Sequence, residues 1–286
     1  MQFNPKDIML VLDSYPTPTN KKLIESAVAL AKKLNVHISA LSFEIDVKVK
    51  TSRVVRALGI DRGVRERLAA ERKKSLSNAK DLLRDFEAAA KKSGVHFSTI
   101  LETATQYEVS NVAIEHARLR DLTIVATDNE ALADATAEDL LFKSGRPILI
   151  PPRDHKNCAA LSLNSVAVAW DSSRAATRAV SDALPLLQRA KHVRVFTVLH
   201  EKELPARRHS AELKAHLARY GIEAKMENIA ARGKAIAEVV RAYVKNYHVG
   251  LLVIGGYGHS RFKEFILGGV TKSILEQPFQ WTFLSH

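Results

Sequence analysis

The chain has 286 residues, 46% hydrophobic and 26% charged, with 43 Lys and Arg against 31 Asp and Glu, for a net charge of +12. That length fits one large domain or two of about 140 residues, and the apolar content is enough for proper cores. The composition excludes a disulfide framework, because Cys158 is the only cysteine, and it excludes a helical membrane span, because no apolar run approaches the roughly 20 residues needed.

The start, MQFNPKDIMLVLDS, enters a strand with no basic-then-apolar leader, so no export signal and a cytoplasmic setting are expected. Residues 8–12 read as an apolar strand ending in Asp13-Ser14. A helix-period run follows over 23–34, with Ala27, Leu30 and Ala31 on its apolar side, and then a second strand over 36–43. Between Lys48 and Lys92 there are fourteen basic and six acidic residues, so most of the excess charge sits in one segment. Arg65, Arg67, Arg72, Lys73 and Lys74 alternate with Glu66 and Glu71 around Leu68, Leu76, Leu82, Leu83 and Phe86, the pattern of an amphipathic helix with a wet basic face. That face is either simply solvated or a docking surface for nucleic acid or an acidic protein. Further strands are expected near 95–101, 122–127 and 147–150, followed by a polar linker over 151–157.

The second half repeats the first. Val166-Ala167-Val168-Ala169-Trp170-Asp171-Ser172 matches Ile8-Met9-Leu10-Val11-Leu12-Asp13-Ser14 at an offset of 158, and the strand at 251–256 matches 122–127 at an offset of 129. The offset shrinks by 29 residues, which assigns that many extra residues to the first half. The basic segment over 48–80 is the natural place for them. A helix over 175–187 and strands near 192–199, 222–229 and 281–285 complete the second half. Strands alternating with helices predict two doubly wound, mostly parallel α/β domains, 1–152 and 160–286.

The chemistry concentrates in residues 251–277. The strand Leu251-Leu252-Val253-Ile254 breaks into Gly255-Gly256-Tyr257-Gly258, and Gly268-Gly269 then opens a helix carrying Val270 and Thr271. Glycines at a helix N-terminus let backbone N–H groups reach a phosphate; the alternative is that they only make tight turns. The spacing is neither G-x-G-x-x-G nor the phosphate loop ending in G-K-[ST]. Asp171, at the end of a neighbouring strand, should face the same crevice. It can accept hydrogen bonds from an adenine amino group or a ribose hydroxyl, hold magnesium, or cap the following helix. His259 and Ser260 could donate to phosphate and Lys263 neutralise it, while Thr271 could reach phosphate or metal, or act as a cap. At positions equivalent to Gly255, Gly258, Gly268 and Gly269 the first half has Ala126, Asn129, Asp139 and Leu140, and Asp128, Glu130, Asp134 and Glu138 crowd the same place. That half is expected to be structural or regulatory. No G-x-S-x-G, H-E-x-x-H or Cys/His cluster is present. Binding and switching are therefore expected rather than catalysis, with weak ATP hydrolysis as the most an enzyme reading would claim.

These residues resemble a tandem member of the universal stress protein family, whose signature is G-x2-G-x9-G-[S/T]. Gly255, Gly258 and Gly268 fit it, and Gly269 stands where a serine or threonine normally follows, so one hydroxyl donor is lost. The resemblance implies adenine nucleotide alpha hydrolase-like domains that bind ATP, with magnesium arriving alongside it and no metal site of the protein's own. It implies a nucleotide site made of Ala169, Asp171, Val198, Ile254, Gly255, Gly258, His259, Ser260, Gly268, Gly269, Val270 and Thr271, with Val198 against adenine. It also implies that the fifth strands of the two halves pair internally as a pseudo-dimer, leaving a further homodimer open, and that no membrane is a partner.

Overall fold

The computed structural model describes residues 5–46, 61–127, 130–153, 160–199, 207–256 and 268–286. In the first half β1 (Asp7–Leu12), α1 (Lys21–Leu34), β2 (His37–Ile45), α2 (Asp61–Ser93), β3 (Phe97–Ala104), α3 (Val109–Arg118), β4 (Leu122–Ile124), α4 (Glu130–Lys143) and β5 (Ile148–Ile150) follow in order. The second half has β6 (Ser165–Ala169), α5 (Arg174–Leu187), β7 (His192–Leu199), α6 (Arg207–Arg219), β8 (Ala224–Ala230), α7 (Ile236–Asn246), β9 (Leu251–Gly255), α8 (Gly268–Glu276) and β10 (Thr282–Ser285).

All ten strands form one sheet in the order β3-β2-β1-β4-β5-β10-β9-β6-β7-β8. Within each half the pairing is parallel, and both halves have the same internal order. They join through β5 and β10, which run antiparallel with Leu149 opposite Phe283. The expected internal pairing of fifth strands is therefore present. It also turns the two halves head to tail, so the carboxyl ends of their strands emerge at opposite edges of the sheet.

Central strands such as β1 read as continuous apolar runs because both faces are covered. Ile8, Leu10 and Leu12 enter one core, with α1, α2, α5 and α6. Met9 and Val11 enter the other, which holds residues of α3, α4, α7 and α8. The helices have local start and stop signals. Asn20 caps α1 by accepting the Lys22 N–H at 2.9 Å, and Asn35, at φ 56°, ends it in the left-handed region.

Helix α2 covers 33 residues and runs to Ser93, beyond the 48–80 segment, and the part of that basic segment before Asp61 lies outside the described residues. Its buried positions, Ser75, Ala79, Leu82, Leu83, Phe86 and Ala90, follow a helical period. Its preceding turns carry no buried side chain among the described residues. Arg72 ties those turns to the sheet through Glu44 at 2.6 Å and Asp46 at 3.5 Å. Among the described residues no helix is long and apolar enough to cross a membrane.

Candidate functional site

At the carboxyl ends of β6, β7 and β9 the register places Ala169 beside both Phe196 and Ile254. Val198, two residues beyond Phe196, lies on the same side of its strand. Helix α7 adds Ile236 and Val240, one turn apart, and α8 adds Val270 and Thr271. Together with Trp170, Asp171, Ala176 and Gly255 these residues line a crevice open to solvent. Seven predicted residues are thus brought together: Ala169, Asp171, Val198, Ile254, Gly255, Val270 and Thr271. Gly268 and Gly269 are the first described residues of α8 (Gly268–Glu276). Among the described residues a Cβ at Gly269 would meet nothing within 4 Å. Gly258, His259 and Ser260, together with Lys263 and the rest of the spacer, lie outside the described residues.

Ser173 is the N-cap of α5, and Asp171 supports it from the preceding turn. Asp171 Oδ1 accepts the Ser173 N–H at 2.9 Å across Ser172, which sits at φ 62°, and Ser173 Oγ in turn accepts the Ala176 N–H at 3.0 Å. The carboxylate remains exposed on the crevice wall, so the cap does not remove it from a ligand's reach. Trp170 donates its backbone N–H to Phe196 O at 2.9 Å, while its indole Nε1 is buried with no partner among the described residues.

The first glycine of the signature has a packing reason. A Cβ on Gly255 would lie 2.5 Å from Ala175 C and 2.5 Å from Ala176 N, so this residue lets the start of α5 close onto β9. Gly256 donates its N–H to Ser285 O at 2.7 Å and accepts from His286 Nδ1 at 2.7 Å. A Cβ there would come 2.8 Å from Leu141 Cδ2 of α4, in the other half.

Behind the crevice, Phe196 stacks on Tyr243 with centroids 4.2 Å apart. The Tyr243 hydroxyl donates to Glu227, which also binds Arg194 at 3.1 Å and Lys225 at 2.9 Å. Burial acts to raise the Glu227 pKa, but hydrogen bonds from Tyr243, Lys225 and Arg194 outweigh it and hold the carboxyl below its ordinary value. Burial, reinforced by the Glu227 charge, pushes the Tyr243 hydroxyl up.

The corresponding edge of the first half is built differently. Val11 pairs with Leu41 as Ala169 pairs with Phe196, so Phe43 takes the place of Val198, and it is 1% exposed. Helix α2 secures the loop after β1. Ser14 Oγ donates to Phe43 O at 2.5 Å and meets Ser75 Oγ at 2.9 Å, and Asn78 Nδ2 donates to Ser14 O at 2.9 Å. The expectation that carboxylates crowd a phosphate position needs correction at Asp139, while the side chains of Glu130 and Asp134 lie outside the described ones. Helix α4 starts at Glu130, so Asp139 and Leu140 lie well inside it rather than at its first turn. Asp139 pairs with Lys143 at 2.6 Å, and Leu140 is fully buried. The matching N-terminal amides are spent in helix hydrogen bonds. Asn129 and Asp128 are outside the described residues.

Trp170, Ala176, Phe196, Ile236 and Val240 line the crevice without having been predicted. Phe196 was reachable, since a two-residue period places it on the same side as Val198. Ile236 and Val240 look in sequence like any core-facing helical pair.

Residues 163–278 match the model of the Universal stress protein family. No curated protein matches the chain. Among solved structures, a universal stress protein from Archaeoglobus fulgidus DSM 4304 is similar with a TM-score of 0.68 at 15% identity, over 97% of this chain and 95% of that one. A functionally unknown protein from Pseudomonas aeruginosa PAO1 is similar at 14% identity and a TM-score of 0.54, over 98% and 92%. The cytoplasmic domain of a prokaryotic cation chloride cotransporter is similar at 12% identity and a TM-score of 0.53, over 99% and 95%. These are likenesses of fold. The second half thus carries a universal stress protein match, and the whole chain has the α/β architecture of such proteins.

Proposed function

We propose that the chain is a tandem universal stress protein, cytoplasmic, whose second half binds an adenine nucleotide, ATP foremost, and acts as a sensor or switch in a stress response. The observation that carries this reading is the crevice at the carboxyl ends of β6, β7 and β9, the place where open α/β sheets take ligands. The residues fit the group. Ala169, Val198, Ile254 and Val270 offer apolar surface to a flat base, and Asp171 an acceptor for a sugar hydroxyl or an adenine amino group. Gly268, Gly269 and Thr271 supply helix-start donors to phosphate, to which Gly258, His259 and Ser260 of the same signature would add theirs. Bound nucleotide supplies the polyphosphate charge and its magnesium; the chain positions and shields it.

The first half is, in this reading, a divergent copy without a nucleotide, because buried Phe43 stands at the position of Val198 and α4 runs as helix through Asp139 and Leu140. Calorimetric titration with ATP and magnesium tests both statements. One nucleotide per chain is expected. Val198→Phe, which copies the first half, should lower affinity by about tenfold or more with the circular dichroism unchanged. Absence of binding at millimolar nucleotide would remove the reading, and two equivalent sites per chain would remove the asymmetry.

A further inference from the structure

The charge of this protein is sorted between the two faces of its sheet. Helices α1, α2, α5 and α6 share one core and form one layer. Their basic and acidic residues number four and one, ten and six, two and one, and four and one, twenty against nine in all. Helices α3, α4, α7 and α8 on the other face carry five basic and seven acidic residues. The first layer therefore accounts for nearly all of the net +12. It extends over both halves, well beyond the basic run of α2.

We infer that this four-helix layer binds the phosphate backbone of double-stranded nucleic acid, without reading its sequence. Three observations select that partner. First, five cations stand free: among the described residues Lys73, Lys74 and Lys80 on α2, and Lys214 and Arg219 on α6, are exposed and have no carboxylate within ion-pair distance, whereas Lys21, Arg72, Arg84, Lys91 and Arg178 are paired. Second, the layer lacks the groups other polyanions need. Phe86, the only Phe, Tyr or Trp within these helices, is fully buried, and His216 of α6 is engaged edge-on with Tyr220 at 5.1 Å. The layer thus lacks a row of aromatic faces on which successive single-stranded bases could stack. The exposed large hydrophobics Leu101, Tyr107, Leu119 and Tyr247 all lie outside these helices, so nothing there is suited to insertion into a lipid surface or to the aromatic centre of a protein interface. Third, the layer is broad and backed by a continuous ten-stranded sheet. At about 4.8 Å per strand it is roughly 45 Å across, which matches roughly 13 base pairs at about 3.4 Å per step.

Fluorescence anisotropy of the full chain with a labelled 20-base-pair duplex, DNA and RNA in parallel, tests the assignment. With about six phosphates neutralised, affinity should fall about 10³-fold between 50 and 200 mM salt. The variant Lys73→Glu/Lys74→Glu/Lys80→Glu on α2 and the variant Lys214→Glu/Arg219→Glu on α6 should each weaken binding by about tenfold or more. Lys245→Glu/Lys272→Glu, on the opposite face, should change it by less than about twofold. If a reversal unfolds the protein by circular dichroism, the corresponding Gln substitutions take its place and should weaken binding in the same direction. The inference fails if the duplex is not retained at 50 mM salt, if either basic set has no effect, or if the opposite-face variant weakens binding equally. It fails too if poly-glutamate or phosphatidylserine vesicles bind more tightly than the duplex, which would assign the layer to a protein or a membrane. None of these outcomes depends on whether the crevice binds a nucleotide.

Discussion

Gly255 is the sharpest test of how the crevice is held, because its glycine is required by a neighbour within the chain. Replacing it by alanine puts a Cβ 2.5 Å from both Ala175 C and Ala176 N, with Ala175 O at 2.9 Å. These are backbone atoms in the first turn of α5, so no rotamer change relieves the contact; the turn must move away by about 1 Å to restore van der Waals distance. Overpacking of this kind costs about 1–3 kcal/mol. The displaced turn also carries Ala176 and the Asp171-Ser172-Ser173 cap, so the crevice should deform with it. Two other glycines calibrate the experiment. At Gly256 the nearest atom is the end of the Leu141 side chain, 2.8 Å away, which can rotate, and Gly256→Ala should cost less than Gly255→Ala. At Gly269 no described residue lies within 4 Å of an added Cβ, and alanine in α8 should be neutral or stabilising by up to about 1 kcal/mol. Urea denaturation should rank the midpoints as Gly269→Ala highest, then Gly256→Ala, then Gly255→Ala, with unchanged slopes. A Gly255→Ala protein within about 0.5 kcal/mol of the parent would refute the close approach of α5 to β9.

Tyr243→Phe removes one charge-assisted hydrogen bond to Glu227 while Arg194 and Lys225 remain, so a loss of about 1–2 kcal/mol is expected by denaturant titration. The lowered Glu227 pKa means that its ionised form stabilises the fold above the unfolded carboxyl value of about 4.3, and that this contribution disappears as pH falls through the folded value. Glu227→Gln should therefore be less stable than the parent at pH 7, and the gap should narrow on acidification below pH 4, measured as a denaturation midpoint at each pH. Phe283→Ala, at a 1% exposed position on β10, should cost about 3–5 kcal/mol. Because β10 joins the halves, the two should still unfold in a single calorimetric transition; two separated peaks would contradict a sheet shared by both.

Much of the fold could be read from local patterns. The apolar runs ending in Asp13-Ser14 and Asp171-Ser172 are buried parallel strands, and their repetition predicts two like halves because a parallel pair needs a helical crossover. What the pattern concealed depended on phase and on distant partners. The carboxylates of EALADATAEDLLFK suggest repulsion of a phosphate; its alanines, leucines and glutamates are above all good helix formers, and the chain makes helix through it. The glycine at 255 suggested open backbone for a ligand, and its tightest neighbours proved to be Ala175 and Ala176. Their approach is fixed by how α5 crosses β9, which no spacing in sequence records. The segregation of charge was hidden for a similar reason, since α5 and α6 add to the layer of α2 only once the sheet has brought both halves onto one face.

That shared sheet also explains how a half without the cradle remains part of the site's architecture. The β5–β10 pairing sets the halves antiparallel, so the end of α4 reaches the edge of the sheet from which β9 emerges. There Leu141, 2% exposed, packs under Gly256, and Phe142 meets the ring of His286 edge-on at 4.8 Å. His286 in turn holds the Gly256 carbonyl, and Ser285 holds its N–H. The backbone entering the signature loop is thus fixed by β10 and floored by the first half. In the first half the helix runs through Asp139 and Leu140, and the end of that same α4 brings Leu141 against Gly256 of the second half. If the crevice of the second half takes nucleotide as proposed, the first half contributes by holding Gly256 in place, a role that needs Leu141 and the β5–β10 ladder and no ligand of its own.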